Sequence, residues 1–278
     1  MVLAGRVLIP VRARDWGREW RLYPLGDIHL GASGCDEQLL DTTIAAIRDD
    51  PLALCIGMGD YVDLISMRDE RRFDPEMISA QHRSAYFKAY GPQMRDAMIA
   101  KLRPIEGKVL GLLHGNHEWA YSNRFEQEIG RDIATALGTR FLGYSCFIDL
   151  VFQRRGGRPQ QRFRIVAHHG AGYAQTKGGK LNRLERFMLD FEADIYLFGH
   201  VHARLDDEAV ALGANRTCRK LVEHRKVGVV TGTYLRTYHA RADGASGYGE
   251  RKQYRPVPLG GPCVKIVPAT RTLSIEKP

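Results

Sequence analysis

Five times along these 278 residues a short apolar run ends in a glycine-bearing loop that carries Asp, His or Asn. The five are Leu25-Gly26-Asp27-Ile28-His29, Met58-Gly59-Asp60, Leu113-His114-Gly115-Asn116-His117-Glu118, Ala167-His168-His169-Gly170 and Phe198-Gly199-His200-Val201-His202. Apolar runs of this length between helical stretches read as buried strands, and α/β sheets bind their ligands beyond the carboxyl ends of the strands. Five polar loops at five strand ends therefore predict one site. The glycine in each lets the backbone turn tightly.

The rest of the pattern agrees with an alternating α/β chain. Glu19 to Leu25 reads as a strand and Asp36 to Arg48 as an amphipathic helix with Leu39, Leu40, Ile44 and Ile47 on one face. Leu52 to Met58 reads as a short buried strand. Asp74-Pro75 carries a helix-start signal, and the helical pattern after it breaks at Gly91-Pro92 and stops near Pro104. A strand at Val109 to Leu113 and a helix from Ser122 to Leu137 follow. Phe141 to Phe152 and Arg162 to Ala167 pair around a Gly/Pro turn, and a helix at Leu181 to Phe191 leads into the strand Asp194 to Phe198. From Ala209 onward, Val, Thr and Tyr dominate, which predicts a second sheet. No repeat or linker divides the chain, so a single domain over 1–278 is expected, with a motif core at about 19–232 and a basic extension at 233–278 that completes or covers the sheet.

Composition excludes several classes. At 44% hydrophobic and 26% charged residues the chain is neither disordered nor fibrous. No run of about 18 apolar residues could span a membrane, and Gly5 and Arg6 fall where a signal peptide would be apolar, which predicts a cytoplasmic protein with no membrane partner. The five cysteines are widely spaced and form no C-x-x-C, so they read as reduced, mostly buried thiols rather than disulfides or a zinc site. Charge is uneven: residues 1–150 carry 18 Lys and Arg against 21 Asp and Glu, and residues 151–278 carry 23 against 11. A basic second half fits a polyanionic partner such as nucleic acid, and equally a solvated face.

Two aspartates, an asparagine and several histidines, without a thiolate, form a mixed oxygen and nitrogen donor set. Such a set suits first-row divalent ions, Mn above all, with Fe, Zn or Ni as alternatives. There are too many donors for one ion. Two ions about 3.5–4 Å apart that share a carboxylate would use them all, would supply a bridging hydroxide at neutral pH, and would clamp the charge of a phosphoryl group.

In this order, the motifs D-x-H, G-D, G-N-H-E, H and G-H-x-H resemble the calcineurin-like metallophosphoesterases, over roughly residues 19–232. The resemblance implies a four-layer α/β/β/α sandwich with metals at the strand ends. Position by position, it implies one ion on Asp27, His29, Asp60 and His202 and another on Asp60, Asn116, His168 and His200, with Asp60 as the bridge. It implies a catalytic His117 beside the metals, placed to protonate the leaving oxygen or to stabilise the transition state, with Asp63 orienting it. Asp63 also reads as a helix N-cap, and His169 could take the place of His168. Trp119 and Tyr121 could stack on a base, and the Gly170 to Lys180 stretch, with Lys177 and Lys180, resembles a mobile phosphate-contacting loop.

The substrate reading follows from departures within the resemblance. Leu64 and His114 stand where the serine/threonine protein phosphatases of the family have arginines, which grip a monoester dianion with paired hydrogen bonds. A diester needs fewer. The expectation is therefore a phosphodiesterase or nuclease acting on nucleic acid. Small-nucleotide or nucleotide-pyrophosphate hydrolysis is the alternative, and a non-catalytic scaffold the remote one. Basic stretches at Arg154-Arg155, Arg158, Arg162, Arg164 and Arg216 to Lys226 are candidate grips on the polymer. So are Arg236, Tyr238, Arg241, Tyr248, Arg251, Lys252, Tyr254 and Arg255 in the tail, a stretch long enough, over residues 234–262, to cap the site.

Overall fold

The computed structural model describes all residues except 66–77, 80–82, 158, 239–247, 252 and 278, and only the backbone of 83–89 and 248. In chain order its elements are β1 (Val2–Val11), β2 (Trp20–Leu25), α1 (Glu37–Asp49), β3 (Ala53–Gly57), α2 (Arg83–Leu102), β4 (Val109–Leu112), α3 (Asn116–Phe125) and α4 (Ile129–Ala136). There follow β5 (Ser145–Arg154), β6 (Gln160–His168), α5 (Lys177–Asp190), β7 (Ile195–Phe198), β8 (Arg204–Ala214), β9 (Leu221–Thr231), α6 (Tyr248–Arg251), β10 (Cys263–Val267) and β11 (Thr272–Glu276). The expected helix start at Asp74-Pro75 lies outside the described residues, as do Arg158, Arg241 and Lys252.

The strands form two mixed sheets, ordered β1-β5-β6-β7-β9-β8 and β11-β10-β2-β3-β4. Within them β6, β7 and β9 run parallel, as do β2, β3 and β4, so each set of three ends on the same side. Side chains alternate across a strand, and here both faces of each sheet are apolar. Leu22, Leu54, Ile56, Phe163, Ile165, Ala167, Ile195, Leu197, Val227 and Val229 fill the space between the sheets. Their strand neighbours face outward: Ala53 and Cys55 under Leu40, Ile44, Ile47, Met94 and Met98 of α1 and α2, and Val166, Tyr196 and Phe198 under Leu184, Phe187 and Met188 of α5. The result is the expected four-layer α/β/β/α sandwich.

Several local expectations are corrected. Helix α2 runs through Gly91-Pro92 without a break, because Tyr90, Met94 and Met98 pack it on the sheet and Gly91 leaves room for the Tyr121 ring. The single helix expected from Ser122 is two, parted where Glu126 turns left-handed at φ 55°. Residues 2–11, not read as a strand, form edge strand β1 parallel to β5. The segment after Ala209 does not make one sheet: β8 and β9 finish the six-stranded sheet, and β10 and β11 join the five-stranded one. All five cysteines are free, and burial pushes the Cys35, Cys55, Cys146 and Cys263 thiols up to about 12. No helix among the described residues is long and apolar enough to cross a membrane.

Candidate active site

The loops that follow β2, β3, β4, β6 and β7 meet at one edge of the sandwich. Backbone bonds continue past the strand ends, with Asp27 N–H donating to Gly59 O (2.9 Å), Ile28 N–H to Asp60 O (2.8 Å) and Leu30 N–H to Tyr61 O (3.0 Å). To leave the strands so sharply the chain uses the left-handed region at Asp27 (φ 48°), His29 (54°), Asp60 (51°), His200 (69°) and His202 (44°). Such conformations cost about 1–3 kcal/mol each at non-glycine residues and gather at functional sites. Gly59 fits for a second reason: a Cβ there would lie 2.6 Å from Gly115 N and 2.7 Å from His169 Nδ1.

Glu118 locks two of these loops together. Fully buried at the first turn of α3, its carboxylate accepts N–H bonds from Asp60 (3.0 Å), Tyr61 (2.7 Å), Val62 (3.2 Å) and Gly115 (3.0 Å). Burial, together with the Asp60 charge, raises its pKa to about 7, and the N–H bonds oppose that shift. Glu118→Gln would turn an NH₂ group toward N–H donors. It is expected to cost about 3 kcal/mol, read as a lower urea midpoint with the native circular dichroism kept. An unchanged midpoint would contradict the clamp.

Besides a His29, Asp63 and His117 group at the edge, the donors form two clusters with Asp60 between them. Asp27, His29 and His202 form one, with His29 Nε2 3.1 Å from His202 Nε2 and His202 Nε2 3.5 Å from Asp27 Oδ1. Asp60, His169 and His200 form the other, with Asn116 Oδ1 3.1 Å from His169 Nε2 and 2.7 Å from His200 Nδ1. Asp60 Oδ2 lies 3.9 Å from His29 Nε2 and 3.4 Å from His169 Nε2, between the two. Its Oδ1 accepts the His117 N–H at 2.9 Å, which places the carboxylate on the positive end of α3.

These residues fit divalent cations. Asp27 Oδ1 is buried with no hydrogen-bond partner. Imidazole nitrogens face each other across 3.1 Å, and the Asn116 oxygen faces two more, a set of lone pairs that a cation satisfies in place; otherwise the amide must turn over and donate. Burial lowers the pKa values of His29 and His200, which keeps them neutral as ligands must be. Burial also works against a proton on His169, yet the Asp60 and Asp27 carboxylates raise its pKa to about 10. The potential there demands positive charge.

One expected site residue is corrected. His168 is not in either cluster: its Nδ1 accepts the Gly170 N–H at 2.7 Å and its ring stacks on Phe198 in a separate recess with Phe187 and Phe191. His169 takes its place, fully buried, with Nδ1 2.7 Å from Met58 O, so that the Nδ1–H donates outward and Nε2 faces Asp60 and Asn116. Strand parity accounts for the exchange. Phe163, Ile165 and Ala167 face the space between the sheets and His169 continues that face, whereas His168 continues Val166 toward α5.

His117 lies at the edge of the clusters, its Nδ1 3.0 Å from Asp63 Oδ1, and Asp63 also approaches His29 Nδ1 at 3.7 Å. Burial would raise the Asp63 pKa, but its hydrogen bond to His117 and the nearby His29 imidazole hold it well below the usual carboxylate range. Asp63 therefore offers a permanent charge that fixes the His117 tautomer. His114, two residues past the end of β4, is buried against Phe141, and Tyr121 packs on Phe125. Neither reaches the site. Trp119 is exposed and stands outside the cavity.

The clusters open into a cavity of about 590 Å³ whose walls include Lys180, Tyr173, Gln175, Arg236, Gln253 and Tyr254. Most of the expected basic grips among the described residues are not on it. The β5–β6 hairpin pairs Ser145 with His168 at the site end and Gln153 with Gln160 at the other, which puts Arg154-Arg155 roughly 30 Å away. Arg162 and Arg164 pair with Asp149 at 3.5 and 3.0 Å. The Arg216 to Lys220 turn likewise lies at the far tip of the β8–β9 hairpin, whose Arg204–Thr231 pair is its site end. The Gly170 to Lys180 stretch is not all loop, since α5 starts at Lys177 behind a Thr176 cap.

A family model described as calcineurin-like phosphoesterase matches residues 21–204. Among solved structures, the NAD nucleotidase (NadN) of Haemophilus influenzae is similar over 93% of this chain and 49% of its own, at 11% identity and a TM-score of 0.43. This chain thus spans about half the length of that protein. No curated protein matches the sequence.

Proposed function

The chain belongs to the calcineurin-like phosphoesterases, hydrolases of phosphoric esters that work with two divalent ions, and we propose that it is a phosphodiesterase acting on a nucleotide unit such as the end of a nucleic-acid strand. The observation that carries this reading is that, among the described residues, no arginine pair faces the metal clusters. Leu64 and His114 are buried, and the cavity's cations among the described residues, Lys180, Arg236 and Arg255, stand on its walls. A monoester dianion calls for paired guanidinium bonds that these positions do not supply. The singly charged diester needs fewer.

In this reading Asp27, His29, Asp60 and His202 hold one ion and Asp60, Asn116, His169 and His200 the other, with Mn²⁺ favoured by the mixed donors. When bound, the ions would lower the pKa of a water and neutralise charge on the phosphoryl oxygens. Asp63 holds His117 through Nδ1, so the opposite ring nitrogen, Nε2, is the atom that would pass a proton to the leaving oxygen. The chain would act as one domain, because β1, β10 and β11, outside the residues matched by the family model, complete the two sheets.

A second reading, hydrolysis of a small nucleotide or a nucleotide-linked pyrophosphate, is favoured by the basic turns being some 30 Å from the site. Metal-stripped protein reloaded with Mn²⁺ separates the two. Bis-p-nitrophenyl phosphate is expected to turn over with a kcat/KM at least about tenfold above that of p-nitrophenyl phosphate, a difference of about 1.4 kcal/mol, and EDTA to abolish both. Monoester preference would overturn the diester reading.

A further inference from the structure

Resting on the nucleotide reading above, we infer that Tyr173, Tyr254 and Lys180 form a nucleobase-and-phosphate subsite that sets which esters the enzyme accepts. The two tyrosines come from separate segments, the loop before α5 and the stretch after α6, yet their rings meet at 5.3 Å between centroids and 38° between planes. Both line the cavity that holds the clusters. Tyr173 stays 52% exposed, so much of it remains open to a ligand.

The loop under Tyr173 is held rather than loose. Arg183 of α5 donates to Ala171 O at 3.0 Å and to Tyr173 O at 2.8 Å, and a Cβ on Gly172, which sits at φ 76°, would press on that guanidinium. A preorganised aromatic face costs little entropy on binding. Gln175 and Gln253 also line this cavity, and each side-chain amide offers both a donor and an acceptor to the edge of a planar heterocycle. Stacking with edge hydrogen bonds is how unpaired bases are held.

Lys180 supplies the charge. It is half-buried on the cavity wall, with Nζ 3.2 Å from the carbonyl oxygen of His202, and so stands at the border between the tyrosine wall and the first cluster. An ammonium there meets a phosphate oxygen of a ligand whose base lies on the tyrosines. A ligand with phosphate but no base would use Lys180 and the clusters alone.

The test is calorimetric binding of thymidine 5′-monophosphate and of deoxyribose 5-phosphate to Mn²⁺-loaded protein. The base-bearing ligand is expected to bind at least about tenfold tighter, the range that stacking on aromatic side chains gives. Tyr173→Ala with Tyr254→Ala should bring that ratio close to one, and Tyr173→Phe with Tyr254→Phe should keep it, which separates a lost ring from a lost fold. Lys180→Ala should weaken both ligands by the same factor. Equal binding of the two ligands by the unaltered protein, or a ratio that survives the double alanine variant, would overturn the subsite. Phosphate release in the same samples would count against the diester reading alone, and the ratio would then be taken from KM.

Discussion

Replacing His169 with alanine is expected to lower metal-dependent ester hydrolysis by about a thousandfold, and replacing His168 by less than about threefold, because a lost Lewis-acid contact is worth several kcal/mol. The two residues are neighbours of identical chemistry, so the comparison isolates direction. His169 Nε2 faces Asp60 Oδ2 and Asn116 Oδ1, and its other nitrogen is committed to Met58 O. His168 turns to Phe198 and Phe187 on the opposite face of β6. Its replacement removes packing and the hydrogen bond from the Gly170 N–H, but no donor of either cluster. Kinetics of both variants on a common diester check the point, and comparable losses in the two would contradict the assigned geometry.

His117→Ala is expected to lower kcat by about 10²–10⁴ on a diester with an alkyl leaving group, and much less when the leaving group is p-nitrophenolate. A good leaving group departs without a proton, so the difference between substrates reports proton donation rather than binding. Asp63→Asn should follow the same pattern with a smaller loss, about 10–100-fold. The residue would keep its shape but lose the charge that steadies the His117 ring at 3.0 Å. Equal losses on both substrates would instead assign His117 to transition-state charge or to substrate binding.

Much of this site is legible in the sequence because strand ends are. Each of the apolar runs before Asp27, Asp60, Asn116, His169 and His200 is too short for a helix, and the polar residue after it must fall at the sheet edge. Five ordered loops then name their neighbours. That His168 points away from the clusters and His169 toward them takes one further step, counting strand parity from Phe163 through Ile165 and Ala167. The break at Glu126 and the continuity through Gly91-Pro92 were not legible, since tertiary packing decides both: Ser122 Oγ donates to Gln127 O at 2.9 Å past the first, and Tyr121 seats against Gly91 at the second. β1 hides because several of its exposed positions, Val2, Leu3 and Leu8 among them, are apolar, so no alternation marks it as a strand. The basic stretches were correctly seen as charge, but only register shows that the β5–β6 and β8–β9 turns lie at the ends away from the clusters.

Metal content per chain tests the two-ion site most directly. After stripping, reloading with Mn²⁺ and desalting, elemental analysis is expected to find two ions in the unaltered protein, one in His169→Ala and two in His168→Ala, because each cluster closes on its own side of Asp60. A single ion in the unaltered protein, or loss on replacing His168 with retention on replacing His169, would contradict it.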